Sequence, residues 1–122
     1  MLGRVAVVTF WSTRCEICRY EAPRLNALAA RFDRSKVAFI AFSTEDEAKI
    51  RRYLTSNPFD FSIVPDSFGT LLQFADRDGS GNVNIGYPAF FVVDAEGRIQ
   101  HRSSGVSKTA AVESVISKLI GR

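Results

Sequence analysis

Apolar residues near the start of the chain come in two short unbroken runs with a longer periodic stretch between them. "VAVVTF" (5–10) and "VAFIAF" (37–42) are rich in β-branched and aromatic residues and carry no charge, the pattern of strands covered on both faces. Between them Leu25, Leu28, Ala29 and Phe32 fall at i, i+3, i+4 and i+7, which predicts a helix over 18–32 with one apolar face. Pro23 interrupts that pattern and, having no N–H, should kink the helix. "STEDEAKIRRYL" reads as a second helix, capped by Ser43 or Thr44, with acids in its first turn and "NPF" as its breaker. "FSIV" (61–64) is a short strand and "SFGTLLQFA" (67–75) a short helix. Residues 76–86, "DRDGSGNVNIG", form a polar surface loop. "AFFVVD" (89–94), the turn "DAEG" and "RIQHR" make a hairpin. A closing helix capped by Ser107 carries Val112, Val115, Ile116 and Leu119 on one face.

The order β–α–β–α–β–α–β–β–α implies parallel strands joined by right-handed crossovers, with the late hairpin adding an antiparallel edge. The expected architecture is an α/β three-layer sandwich: a mixed central sheet with helices on both faces. At 122 residues the chain reads as one domain, 1–122.

Composition changes this picture mainly by exclusion. The chain is 46% hydrophobic and 24% charged, as in soluble globular domains, and no apolar run approaches the roughly 20 residues of a membrane-spanning helix. The net charge of +3 is spread out, and Arg51–Arg52 is the only adjacent basic pair. That argues for a solvated helix face and against nucleic-acid binding. The opening "MLGRVAVVTFW" lacks a basic n-region, a long apolar stretch and a small-residue cleavage site. Either the protein is cytosolic or the domain has been trimmed of a leader or anchor, and the abrupt start favours trimming.

The chemistry concentrates in "WSTRCEIC" (11–18), which holds both cysteines of the chain. A zinc site needs four ligands, and a second cysteine pair is absent while the one histidine, His101, is far along the chain. A purely structural staple across so short a loop would constrain the unfolded chain little. Redox chemistry is the stronger reading. Cys15 lies where a buried strand gives way to a helix, and a helix N-terminus carries about half a positive charge that favours the thiolate. Arg14 adds to this and Glu16 opposes it. Cys18, about one turn on, can attack a mixed disulfide formed at Cys15.

These residues carry a resemblance. "VVTFWSTRCEICRYEAPRLNAL" resembles the active-site segment of thioredoxin-fold proteins. More narrowly, it is similar to the TlpA/ResA-like thiol–disulfide oxidoreductases, whose pattern is Trp, three residues, CxxC, two residues, Glu, one residue, Pro. Trp11, Cys15, Cys18, Glu21 and Pro23 match it. "GYPAFFVVDAEGRI" resembles that family's cis-proline loop, next strand and hairpin, and 45–75 suits its central insertion.

The resemblance implies a thioredoxin-like fold and a thiol–disulfide oxidoreductase that reduces disulfides in exported proteins such as apocytochromes. Cys15 would be the nucleophile, Cys18 the resolving cysteine and Glu21 the group that assists proton transfer. Trp11, Tyr87 and the cis-proline Pro88 would face the substrate. No metal and no cofactor beyond the cysteine pair is implied. The partners would be protein thiol or disulfide substrates and an upstream electron donor, with the protein a monomer. The setting would be extracytoplasmic in a bacterium, the periplasm, with any membrane tether outside this chain. Two alternatives stand beside it: a cytosolic thioredoxin- or tryparedoxin-like reductant, and a non-enzymatic docking module.

Two positions depart from relatives. Thr9 stands six residues before Cys15, where thioredoxin proper has a buried aspartate, and Ile17 stands where many relatives carry proline or histidine. "DRDGSGNVNIGY" begins like a calcium loop, with Asp76, Asp78, Ser80 and Gly81 in step, but Tyr87 takes the place of the required glutamate. His101 is read as a surface residue.

Overall fold

The computed structural model describes residues 3–74, 76–77, 83–84 and 87–121. Its elements are β1 (Val5–Phe10), α1 (Glu16–Ala30), β2 (Val37–Phe42), α2 (Glu47–Leu54), β3 (Ser62–Val64), α3 (Phe68–Phe74), β4 (Asp76–Arg77), β5 (Val83–Asn84), β6 (Ala89–Val93), β7 (Ile99–Ser104) and α4 (Thr109–Ile120). The main sheet has the order β3-β2-β1-β6-β7. β1 runs parallel to β2, and β2 to β3. β6 is antiparallel to β1, and β7 to β6.

Every residue of β1 is buried, because the strand is paired on both edges and covered on both faces. Its side chains alternate between two apolar clusters. Val5, Val7 and Trp11 pack with Leu25 and Leu28 of α1, Ile50 of α2, and Val112 and Ile116 of α4. Ala6, Val8 and Phe10 pack with Leu71 of α3, and Phe74 lies against the same cluster. The sheet is therefore the middle of three layers, as the alternation of elements implied.

Several local readings are corrected. Helix α1 begins at Glu16, two residues earlier than the apolar period suggests, with Cys15 as its N-cap. Pro23 lies inside the helix, as the apolar pattern implied. Helix α2 is capped by Asp46, not Ser43 or Thr44; the Asp46 carboxylate accepts the Lys49 N–H at 2.8 Å. Ser43 is occupied one turn earlier, where its hydroxyl donates to Glu45 at 2.9 Å and accepts the Glu45 N–H at 3.1 Å. Ser107 does not cap α4. Lys108 holds the N-cap position with no side-chain bond, and Ser107 sits at φ 63° in the left-handed region. Two residue pairs of the polar segment, Asp76–Arg77 and Val83–Asn84, form an antiparallel ribbon rather than open loop. Asp78, Ser80 and Gly81 of the calcium-like pattern lie outside the described residues. His101 is half-buried, within 2.8 Å of the Ser103 hydroxyl.

The "DAEG" turn shows why short polar stretches hold the hairpin together. Asp94 accepts the N–H groups of Glu96 and Arg98 and the Gln100 amide at 2.8 to 3.0 Å, while Gly97 supplies the left-handed φ of 90°.

Asp46→Ala should destabilise the fold by about 1 kcal/mol, the usual worth of a lost N-cap, whereas Asp46→Asn should hold most of it. Urea-unfolding midpoints of the two variants check this.

Candidate active site

The site forms where β1 ends. Trp11 extends the line of β1, its N–H donating to the Phe42 carbonyl at 3.1 Å. The chain then turns, with the Cys15 N–H bonded to the Ser12 carbonyl at 3.1 Å, and enters α1. Cys15 and Cys18 are joined by a disulfide, with their Cα atoms 5.2 Å apart. The Cys15 Sγ accepts the Cys18 N–H at 3.1 Å, so one otherwise unpaired donor of the helix start is aimed at the sulfur. Exposure divides the pair: Cys15 is half-buried, while Cys18 is only 6% exposed in the apolar cluster beneath. A thiolate at Cys15 would thus sit at the positive end of the helix, within reach of an incoming sulfur.

Charge around the loop is partly resolved. Glu16, which opposes the effect of Arg14, is ion-paired with Arg19, and both partners are exposed. Solvent and the ion pair both temper its field at Cys15.

A small cleft beside Cys18 is lined by Thr9, Trp11, Tyr53, Asn57, Phe59 and Pro88, among others. Trp11 is buried against Phe59 edge-on at 5.4 Å and against Tyr53 at 5.6 Å. Its Nε1–H meets no acceptor among the described residues. The Tyr87–Pro88 peptide bond is cis, and the Pro88 carbonyl accepts the Gly105 N–H at 2.9 Å. Thr9 is fully buried, its hydroxyl donating to the Ala89 carbonyl at 2.8 Å. Tyr87 is half-buried; burial pushes its phenol above the ordinary value of 10.0, Glu45's charge adds to this and a bond with Thr44 opposes it.

Trp11, Cys15, Cys18, Tyr87 and Pro88 are therefore gathered at one end of the sheet. Glu21 stands apart from the cleft lining. It is 1% exposed on α1, with the Ser107 N–H at 3.4 Å and Arg24 at 3.7 Å as its partners.

Residues that the sequence pattern did not single out complete the surroundings. Tyr53 and Phe59 come from the end of α2 and the segment after it, and nothing local marks them as neighbours of residue 11. Glu45 is the larger omission. It reads in the sequence as one more acid at a helix start, yet its carboxylate accepts the Thr13 N–H at 2.8 Å and the Thr13 hydroxyl at 2.6 Å, with Lys49 at 3.6 Å. Burial alone would raise the Glu45 pKa, but the bonds from Thr13 and Ser43 and the Lys49 charge outweigh it and hold the group below the ordinary 4.5. Among the described residues no cluster of three or more His, Cys, Asp or Glu side chains could hold a metal ion.

The chain is similar to known proteins. The model of the AhpC/TSA family matches residues 1–102. The thiol:disulfide interchange protein DsbE of Pseudomonas fluorescens biotype C is 31% identical over 109 residues, 85% of this chain and 53% of the relative. The thiol-disulfide oxidoreductase ResA of Bacillus cereus is 23% identical over 119 residues, 96% of this chain and 64% of the relative. The crystal structure of a secreted Mycobacterium tuberculosis disulfide oxidoreductase homologous to Escherichia coli DsbE superposes with a TM-score of 0.70 at 21% identity, covering 97% of this chain and 84% of that one. The fold is thus thioredoxin-like. The chain spans about half the length of the curated relatives it matches.

The depressed pKa of Glu45 has a consequence for stability. A carboxylate held below its unfolded value stabilises the fold above that value, and the contribution is lost as pH falls through the folded one. Thermal melts should therefore show stability dropping as pH goes below about 4.5, with a shallower drop in Glu45→Gln.

Proposed function

Because the chain belongs to the AhpC/TSA family and carries its cysteine pair at the start of a helix, we propose that it is a thiol–disulfide oxidoreductase acting on protein substrates. One observation carries the reading: a half-buried Cys15 capping α1, disulfide-bonded to a buried Cys18 beside Pro88. In the reducing direction the Cys15 thiolate attacks one sulfur of a target disulfide. The target S–S bond breaks, a Cys15–target bond forms, and the second target sulfur leaves as a thiolate. Cys18 then gives up its proton and attacks the Cys15 Sγ. The first target sulfur departs, the Cys15–Cys18 disulfide forms, and two electrons have passed to the target. A donor dithiol resets the pair by the same steps in reverse.

The supporting roles follow from position. Glu21, buried three residues after Cys18, takes up the Cys18 proton directly or through water; Thr9, at the other candidate position, does not titrate. Tyr87, ahead of the cis bond to Pro88, presents its backbone to an extended target segment, and Trp11 walls the disulfide from the α2 side. No further cofactor takes part, because the cysteine pair holds the electrons. The substrates are disulfides in exported proteins, apocytochromes among them, and the setting is extracytoplasmic, with the domain working as a monomer. Relatives named DsbE and a secreted structural neighbour support this setting.

Insulin-disulfide reduction tests the reading. Wild type should turn insulin over in the presence of a dithiol donor. Cys15→Ser should abolish turnover, and Cys18→Ser should stall as a covalent mixed disulfide visible by mass. Turnover that survives Cys15→Ser removes the proposal. In the reduced protein Cys15 should also alkylate several-fold faster than Cys18, and the reverse order would exchange their roles.

A further inference from the structure

Three loops meet at Glu45. The loop from β1 into α1 contributes Thr13, whose N–H and hydroxyl both donate to Glu45, one to each oxygen. The loop from β2 into α2 contributes Ser43, donating to Oε1 at 2.9 Å. The same segment is pinned to the loop before α3: the Glu45 carbonyl accepts the Asp66 N–H at 2.9 Å, and the Ser43 carbonyl accepts the Ser67 N–H at 2.9 Å. Glu45 is thus anchored through its own backbone while its side chain, only 12% exposed, grips the segment two residues before Cys15. Lys49, its ionic partner, is farther off at 3.6 Å and more exposed. The arrangement is larger than a helix start requires, since Asp46 already caps α2.

We propose that Glu45 is a positioning residue for the reaction: it clamps the 12–14 segment that carries Cys15, and its fixed negative charge restrains the Cys15 thiolate, making the cysteine couple more reducing. The physical reason is the thiolate's place in the couple. A charge that favours the thiolate stabilises the dithiol form and makes a pair oxidising, whereas a nearby anion does the opposite. The helix start and Arg14 pull one way, and Glu45 pulls the other from a place where burial limits screening. Burial is the main cause that raises the phenol pKa of Tyr53 and of Tyr87, and Glu45's charge adds a smaller push to each.

The inference rests on the oxidoreductase reading, yet its test needs no target protein. Four forms are compared in glutathione redox buffers and in the pH profile of Cys15 alkylation: wild type, Glu45→Gln, Glu45→Asp and Thr13→Val. Glu45→Gln keeps an acceptor for Thr13 and removes the charge. It should lower the Cys15 thiol pKa and raise the dithiol-to-disulfide ratio roughly threefold at a given poise, about 14 mV in a two-electron couple. Thr13→Val frees the carboxylate to move toward solvent, and should shift both readouts the same way by less. Glu45→Asp, which retains the charge, should recover most of the wild-type potential. If Glu45→Gln and Thr13→Val change only the unfolding midpoint and leave potential and alkylation profile unmoved, Glu45 is a structural staple and the proposal falls. A potential that responds in a protein without cysteine-dependent insulin reduction would sink the functional reading and leave the role of Glu45 standing.

Discussion

The double pairing of β1 sets the position of every reactive group. Its hydrogen bonds are taken up by β2 on one edge and β6 on the other through to Phe10, and both faces are covered. A strand held so completely has no freedom to slide, because a one-residue slip would exchange the two apolar clusters. The end of β1 is therefore a fixed point. Trp11 continues it by one bond to Phe42, and the helix must start within the next few residues. Since β6 is the antiparallel neighbour, its first residue, Ala89, lies opposite Phe10, and this brings Pro88 to the same end as the cysteines.

How much of this could be read from the chain depended on the range of the interaction. The strands "VAVVTF" and "VAFIAF" were legible because burial on both faces leaves an unbroken apolar run, and both spans match the structure to the residue. The position of Cys15 at the start of α1 was legible from the motif, but the apolar period alone put that start two residues late, because the cap is a cysteine, whose sulfur is not among the oxygen acceptors that mark most helix starts. Ser43 looked like a cap for α2 on local grounds, but a distant partner decided the matter: Glu45 is drawn to Thr13, 32 positions away, and takes Ser43 with it. Ser107 failed as a cap for the same kind of reason, since its N–H turns toward Glu21 across 86 positions. The motif residues Cys15, Cys18 and Pro88 were recognisable by pattern, whereas Tyr53, Phe59 and Glu45 carry no pattern and enter the site only through folding.

Two opposite influences meet at Cys15. The free N–H groups of α1 favour negative charge on its sulfur, and the anion gripped by Thr13 disfavours it. Neither is a surface ion pair of the kind represented by Glu16 and Arg19, which solvent screens on the exposed side of α1. The environment of the disulfide is thus set by a helix end and a partly buried carboxylate, and less by the exposed charge of Glu16 between the two cysteines.

The bond from the Gly105 N–H to the Pro88 carbonyl, with Ser107 reaching Glu21 beside it, also has a bearing on biosynthesis. The walls of the site lie at opposite ends of the chain. At about 5–20 residues per second, the roughly 90 residues between Cys18 and the far wall take about 4–18 seconds to appear. Through that interval the two thiols exist without the core that later hides Cys18. A nascent chain in that state is open to disulfide formation with other thiols, and the unequal exposure of the pair is complete only when Pro88 has joined Trp11, Tyr53 and Phe59 beside Cys18.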